Sequence, residues 1–493
     1  MDQGLHDRIA RGTAWAFASS WARLAISLAA FMLIARLIGP ERYGLNTAAG
    51  AFAVLGQALV GPAAGEVIVQ RQTLQAEAQT AYFRLLLLVG VLIAAVIAAI
   101  GPLAAKISGH PELAALMAVY ALTVPLTALQ TVPEACLLQG LQFRPQALAS
   151  GAGVIAGSVV GVAPAYASAE LWALAGLQLT QSGVQAALLW RGAQWRPTAI
   201  ADRRALPGLL RYSGSSIGTR LINELDSQLP KVFIGAALGS SALGHYALAR
   251  RIFDLLKDVL IVPLNTVALP SLAKARVRGE DVSQLFGSAL RISTFVANPA
   301  FLGLAAIAPL LVPGLFGRGW EPAIGALQLL ALLGLRSAVN SFNGAALRSY
   351  GRPLAQLSIA AAGLALLCLL LPLATRYGLL AAVAAIVLRA YALWPVSALM
   401  VERLGVFPAL RQFTVGLRSL AASLLMMACV WSLSLWLEPA LPAWVLLPVC
   451  IAGGALLYFG ASFALAPMEF REGLQTLSRL LRRKPVARTT AAA

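Results

Sequence analysis

Apolar residues run in blocks of about twenty along this 493-residue chain, the length an α-helix needs to cross a bilayer. The blocks place spans at 13–34, 45–68, 81–105, 113–138, 146–167, 170–190, 211–236, 242–269, 285–312, 322–347, 353–374, 378–400, 413–437 and 441–466. The expected fold is an all-α polytopic membrane protein of about fourteen transmembrane helices, with essentially no soluble domain. Two blocks break the apolar pattern. The seventh carries Ser213, Ser216, Arg220, Asn223, Glu224, Ser227 and Lys231, and the eighth carries Arg250, Arg251, Asp254, Lys257, Asp258 and Asn265. At about 100° per residue each set stays within an arc of about 120°. Charge at membrane depth is costly and turns toward a bundle interior or a water-filled cavity. The two spans therefore predict a polar chamber in mid-bilayer and a polar, anionic cargo.

The turns have a pattern of their own. Leu37–Gly44 (LIGPERYG) aligns with Ala237–Gly244 (ALGSSALG), pairing Gly39 with Gly239 and Gly44 with Gly244 at a constant offset of 200. Later, ACLLQGLQFRP ending at Arg144-Pro145 aligns with AALRSYGRP ending at Arg352-Pro353. Six spans per half is an even number, so the halves would run the same way, related by an axis along the membrane normal. The expected organisation is a six-helix bundle over 1–205, a second over 206–405, two extra spans over 406–466 and a cytoplasmic tail over 467–493. In the tail, Phe470, Leu474, Leu477 and Leu481 lie opposite Arg471, Arg479 and Arg482. That spacing predicts a basic amphipathic helix on anionic lipid.

The formal net charge of +18 would suit a nucleic-acid partner, but its distribution argues against one. With the N-terminus inside, cytoplasmic segments hold about 22 Lys/Arg and external ones about five, the positive-inside bias. Loop 191–211 alone carries Arg191, Arg196, Arg203, Arg204 and Arg211. Basicity thus marks topology, with both termini cytoplasmic. Every predicted external loop is about ten residues or fewer, too short for an external catalytic domain. No P-loop, nucleotide fold or nucleophile motif is present, so the reading is not an enzyme. The cysteines Cys136, Cys368, Cys429 and Cys450 lie within spans without metal-ligand spacing, and are expected as small buried hydrophobes. No cofactor or metal is expected beyond a coupling H+ or Na+.

Candidate chemistry follows from the polar stripes. The first span places Arg23 among Ser19, Ser20 and Ser27, and the seventh places Arg220 comparably, each about 15 Å from the cytoplasmic end. Arginine holds phosphate oxygens with a planar fork and keeps its proton. Arg23, Arg220, Lys231, Arg250, Arg251 and Lys257 are the candidate cationic lining. They outnumber Glu224, Asp226, Asp254 and Asp258, which favours an anionic headgroup. Those carboxylates, with Glu66 near the inner end of span two, are candidates for binding a coupling ion. Plain i,i+4 pairing of Arg220 with Glu224 and of Arg250 with Asp254 is the structural alternative. Pro62, Pro125, Pro230, Pro263 and Pro299 within spans are candidate bending points.

The segment Ala35-Arg36-Leu37-Ile38-Gly39-Pro40-Glu41-Arg42-Tyr43-Gly44-Leu45 resembles the first external loop of the Wzx-type polysaccharide flippases. Val69-Gln70-Arg71, Leu243-Gly244-His245-Tyr246-Ala247-Leu248-Ala249 and Pro270 fit the same family. Gly61-Pro62 departs from the Asp-x-Gly-type turn of many members. The resemblance implies the multidrug/oligosaccharidyl-lipid/polysaccharide exporter fold, with two six-helix bundles around a central cavity. It implies a carrier in the bacterial inner membrane that flips undecaprenyl-diphosphate-linked oligosaccharide to the periplasmic leaflet by alternating access. Membrane lipids and other polysaccharide-assembly membrane proteins would be its partners. Alternatives are a lipid II flippase, a drug/cation antiporter of the same superfamily, a membrane polymerase or glycosyltransferase, and a scaffold for envelope synthesis.

Overall fold

The computed structural model describes residues 3–71, 74–166, 170–279, 281–437 and 441–472, and α-helices dominate them. In chain order they are α1 (Gln3–Val60), α2 (Pro62–Gln70), α3 (Ala76–Ser108), α4 (Glu112–Ala121), α5 (Thr123–Gln139), α6 (Phe143–Tyr166) and α7 (Ala173–Gly192). There follow α8 (Leu206–Val277), α9 (Val282–Phe316), α10 (Ala323–Ser349), α11 (Pro353–Ala374), α12 (Leu379–Arg403), α13 (Ala409–Thr414), α14 (Leu417–Leu437) and α15 (Ala443–Leu465).

By length and composition, eleven helical segments among the described residues could cross a membrane, against the fourteen expected. The difference has physical sources. Two of the eleven, Arg23–Gln70 and Ser216–Leu264, each contain a glycine with non-helical backbone, Gly39 (φ 73°) and Gly239 (φ 86°). Each therefore holds two helical stretches. The 20-residue α7 is long enough, but Gln178, Gln181, Ser182 and Gln185 reduce its hydropathy. Cys368, expected buried, is exposed.

Among the described residues, one compact unit forms within Met1–Ala247, Leu315–Trp320 and Leu364–Ala382. The other forms within Leu248–Gly314, Glu321–Gly363 and Val383–Ala493. The first unit is centred on Leu116, Met117, Val124, Val60, Ile68 and Tyr82. At one end of it the predicted external turns meet. A Cβ on Gly44 would lie 1.8 Å from the carbonyl oxygen of Ser240, and one on Gly244 would lie 1.9 Å from that of Pro40. The two contacts are reciprocal, since Pro40 and Ser240 are the residues after the paired glycines Gly39 and Gly239. Glycine is required there because the backbones approach too closely for any side chain. His110 Nε2 lies 3.3 Å from Ser240 Oγ, Arg42 pairs with Glu170, and Trp320 stacks edge-on with Tyr43 and His245. The predicted cytoplasmic segments meet elsewhere. Thr198 and Ala199 accept from Arg84, and Gln139 donates to the Arg71 carbonyl.

The second unit holds two cores. One gathers Phe286, Phe342, Val339 and Phe407. The other seats α14 and α15 on α9 through Phe295, Met426, Val430, Leu446 and Tyr458. Trp431, Leu435, Trp436, Leu456 and Phe463 stay exposed, as lipid-facing surfaces should. Residues 467–472 are helical. There Phe470 packs on Phe459 and Phe463, and Glu472 receives both edges of the Arg291 guanidinium. The remainder of the expected amphipathic tail, with Leu474, Leu477, Arg479, Leu481 and Arg482, lies outside the described residues, as do the side chains of Ser19, Ser20 and Asn265.

Candidate functional site

The first helical run stops at Gly61 because Pro62 has no N–H to give the Ala58 carbonyl. Pro62 opens α2, with Gly61 in an extended conformation before it. The break is held together locally. The Gly61 N–H donates to Gln57 and the Ala64 N–H donates to Gly61. Thr131 donates to the freed Val60 carbonyl at 2.6 Å, and Tyr82 donates to the Ala64 carbonyl. Broken helices at membrane depth are tolerated where they line a cavity, and they supply polar backbone to it.

Such a cavity is present, with a volume of about 290 Å³, lined by Gln57, Gly61, Pro62, Glu66, Thr127, Arg220 and Glu224 among others. Arg220 pairs with Glu224 one turn on. The arginine side chain is 60% exposed at the opening and the glutamate only 14% exposed at the wall. Glu66 is exposed beside them. Gln57 is oriented by donating to Thr123 at 2.7 Å. One guanidinium therefore faces two carboxylates. Loss of charge at either carboxylate, by proton or by Na+, would leave the guanidinium more available to an incoming oxyanion.

The same face of α8 continues upward through side-chain hydrogen bonds. Gln228 donates to Glu224 at 3.4 Å, and Lys231 donates to Gln228 at 2.8 Å. Lys231 does not line the Arg220 cavity. It lines a second one with Ser108, His110 and Ser240. Asp226 is half-buried on the same helix. Arg23 donates to Ser150 on α6 at 2.8 Å.

In the second unit, Arg250 donates to Asp254 at 2.9 Å and Lys257 to the other oxygen of Asp254 at 3.4 Å. Arg250 also lies over the Phe253 ring, 5.5 Å from its centroid. Arg251 and Asp258 are exposed. The i,i+4 alternative is thus realised for both Arg220 and Arg250, and for Arg220 it coexists with an open cavity.

Several polar residues were absent from the sequence reading. Gln57 and the stripe Thr123, Thr127 and Thr131, spaced by fours, build the cavity wall and the helix break. The spacing itself was the available signal. Arg336 and Arg389 are half-buried within spans of the second unit, and Arg389 donates to the Gly363 carbonyl. Each is an isolated cation in an apolar run, with no stripe to announce it.

The family model described as "Polysaccharide biosynthesis protein" matches residues 33–325. The succinoglycan biosynthesis transport protein ExoT of Rhizobium meliloti (strain 1021) is 25% identical over 66% of this chain and 66% of its own length. The lipopolysaccharide biosynthesis protein WzxC of Escherichia coli (strain K12) is 24% identical over 73% of this chain and 71% of its own. The teichuronic acid biosynthesis protein TuaB of Bacillus subtilis (strain 168) is 24% identical over 70% and 72%. Among solved structures, the lipid II flippase MurJ in an inward closed conformation superposes with a TM-score of 0.76. That match is 13% identical and covers 91% of this chain and 98% of that one. An inward-facing multidrug MATE transporter of the MOP superfamily gives 0.61 at 15% identity, covering 78% and 95%. The two structures support the transporter fold expected from the helical pattern and nothing finer.

Proposed function

Because the chain belongs to the polysaccharide biosynthesis protein family, we propose that it is a flippase. It would carry an undecaprenyl-diphosphate-linked oligosaccharide from the cytoplasmic to the periplasmic leaflet of the bacterial inner membrane. The observation that carries the reading is the cavity at the Gly61-Pro62 break, where Glu66, Arg220 and Glu224 meet between membrane-spanning helices. A charged, open cavity at that depth serves translocation, because buried ion pairs add little to stability for their desolvation.

The mechanism is alternating access coupled to H+ or Na+. Glu66 and Glu224 compete with the substrate diphosphate for Arg220. Ion binding at a carboxylate neutralises it, and the guanidinium then turns its planar fork to phosphate oxygens. Arg23, Arg250 and Arg251 supply further positive charge, while Asp254 holds Arg250 and Lys257 in the empty carrier. Asp226 and Asp258 are secondary candidates for the ion. The polyprenyl chain stays in lipid, both termini are cytoplasmic, and the product passes to other polysaccharide-assembly membrane proteins. None of these roles requires bond chemistry.

The test is the lipid-linked pool of a deletion strain. Undecaprenyl-diphosphate oligosaccharide should accumulate on the cytoplasmic leaflet and clear when the gene is restored. Accumulation of the peptidoglycan precursor lipid II instead would reassign the cargo. An unchanged pool, with surface polysaccharide intact, would overturn the flippase reading.

A further inference from the structure

The first unit has a second cavity, of about 280 Å³, whose composition is opposite to that of the Arg220 site. Its polar groups are Lys231, His110, Ser108 and Ser240, with no carboxylate side chain in the lining. Lys231 contributes a positive charge, and the imidazole and two hydroxyls contribute donors. The rest of the wall is apolar, including Leu45 and Phe52 of α1 and Leu113 of α4. Gly235, Ala236 and Gly239 keep the α8 side low.

The third wall identifies the occupant as a lipid. Ile100, Leu103 and Ile107 of α3 line the cavity and are themselves exposed, Ile107 at 72%. They continue a stripe of exposed Leu88, Leu92 and Val96, spaced by three and four along one helix face. The cavity thus opens onto the apolar flank of α3, with its cationic end at the turns around His110 and Ser240. A free anion would gain nothing from that flank, and a neutral lipid nothing from Lys231. The stripe is one residue wide, which suits one hydrocarbon chain.

We infer that this cavity is a binding site for a single-chain lipid diphosphate, with the diphosphate at Lys231 and His110 and the chain along Ile107, Leu103 and Ile100. The inference rests on the flippase reading for its biological meaning. It adds a second station for the carrier lipid, distinct from the Arg220 cavity. Lys231 connects the two through Gln228 and Glu224. Eleven residues separate Arg220 from Lys231 on α8, about 16 Å along the axis.

A diazirine-bearing farnesyl diphosphate tests the site on the full chain in phosphatidylcholine nanodiscs, with labelled residues mapped by peptide mass spectrometry. Labelling should fall on residues 100–107 and drop at least tenfold in Lys231→Met, which keeps the length of the side chain. His110→Ala should reduce it by a smaller factor. Unlabelled farnesyl diphosphate should compete, whereas inorganic diphosphate, farnesol and phosphatidylglycerol should not at the same concentration. Competition by inorganic diphosphate would make this a free-anion site, and competition by phosphatidylglycerol a phospholipid site. Either result overturns the proposal, as does labelling outside 100–107. Should Lys231→Met not fold, the mapping and competition on the unsubstituted chain still decide. The readout is binding, so loss of the flippase reading in the deletion strain would leave this result standing, and the reverse also holds.

Discussion

The two long helices α1 and α8 share a backbone plan but differ in ionic load. Each is interrupted at a left-handed glycine, Gly39 or Gly239, and each follows it five residues later with a glycine pressed on the other's turn. Before the interruption, the described side chains of α1 include the cations Arg23 and Arg36, whereas α8 has Arg220, Glu224, Asp226 and Lys231 on one helical run. α1 then breaks again at Gly61-Pro62, beside Glu66, while α8 runs on through Arg250, Asp254 and Lys257. Backbone geometry is thus kept in both copies, and the chemistry is divided between them. The reciprocal glycines are the price of close packing, and the ion pairs serve the cargo.

The largest effect should come from the shared geometry. Gly44→Val or Gly244→Val would place side-chain atoms inside a backbone carbonyl's space, and export should fall to background with reduced protein in the membrane. Gly39→Ala probes conformation alone, since nothing lies within 4 Å of its Cβ position. Its cost is the left-handed backbone, roughly 1–2 kcal/mol, and thermal unfolding of the purified protein should show a modest shift. Equal damage from Gly39→Ala and Gly44→Val would dissolve the distinction between strain and contact.

The chemical half of the comparison predicts smaller, functional losses. Arg220→Ala should cut export at least tenfold while leaving membrane levels intact, and Arg250→Ala should do likewise to a lesser degree. Glu66→Gln fixes the neutral state of one of Arg220's two rivals. In vesicles, it should leave substrate binding in place and remove most of the dependence of transport on an imposed H+ or Na+ gradient. Arg23→Ala should have the mildest effect, because Arg23 meets Ser150 rather than a carboxylate at the printed contact. A larger loss from Arg23→Ala than from Arg220→Ala would reverse the assignment of chemistry to α8.

Much of this plan was legible in the sequence, and the reasons are local. The Gly39/Gly239 and Gly44/Gly244 pairs stood at one offset, and the pairing of Arg220 with Glu224 follows from helical spacing alone. The position of Glu66 beside them was not readable. It depends on the Gly61-Pro62 break turning α2 toward a helix more than 150 residues later in the chain. Lys231 shows the limit of a helical stripe as a guide. Periodicity gives the face of a residue and not its depth, so Lys231 read as part of the Arg220 group although it lines a separate cavity. Gln57 and Thr127 carry no charge and drew no notice, yet they form the wall on which the carboxylates act.

The most direct measurement is transfer of a fluorescent polyprenyl-diphosphate oligosaccharide across vesicles containing the purified chain or its Arg220→Ala variant, read by quenching from outside. The unsubstituted protein should move the lipid in response to an H+ or Na+ gradient, and the variant should do so at least tenfold more slowly. Equal rates for the two proteins would contradict the role given to the Arg220, Glu224 and Glu66 cavity.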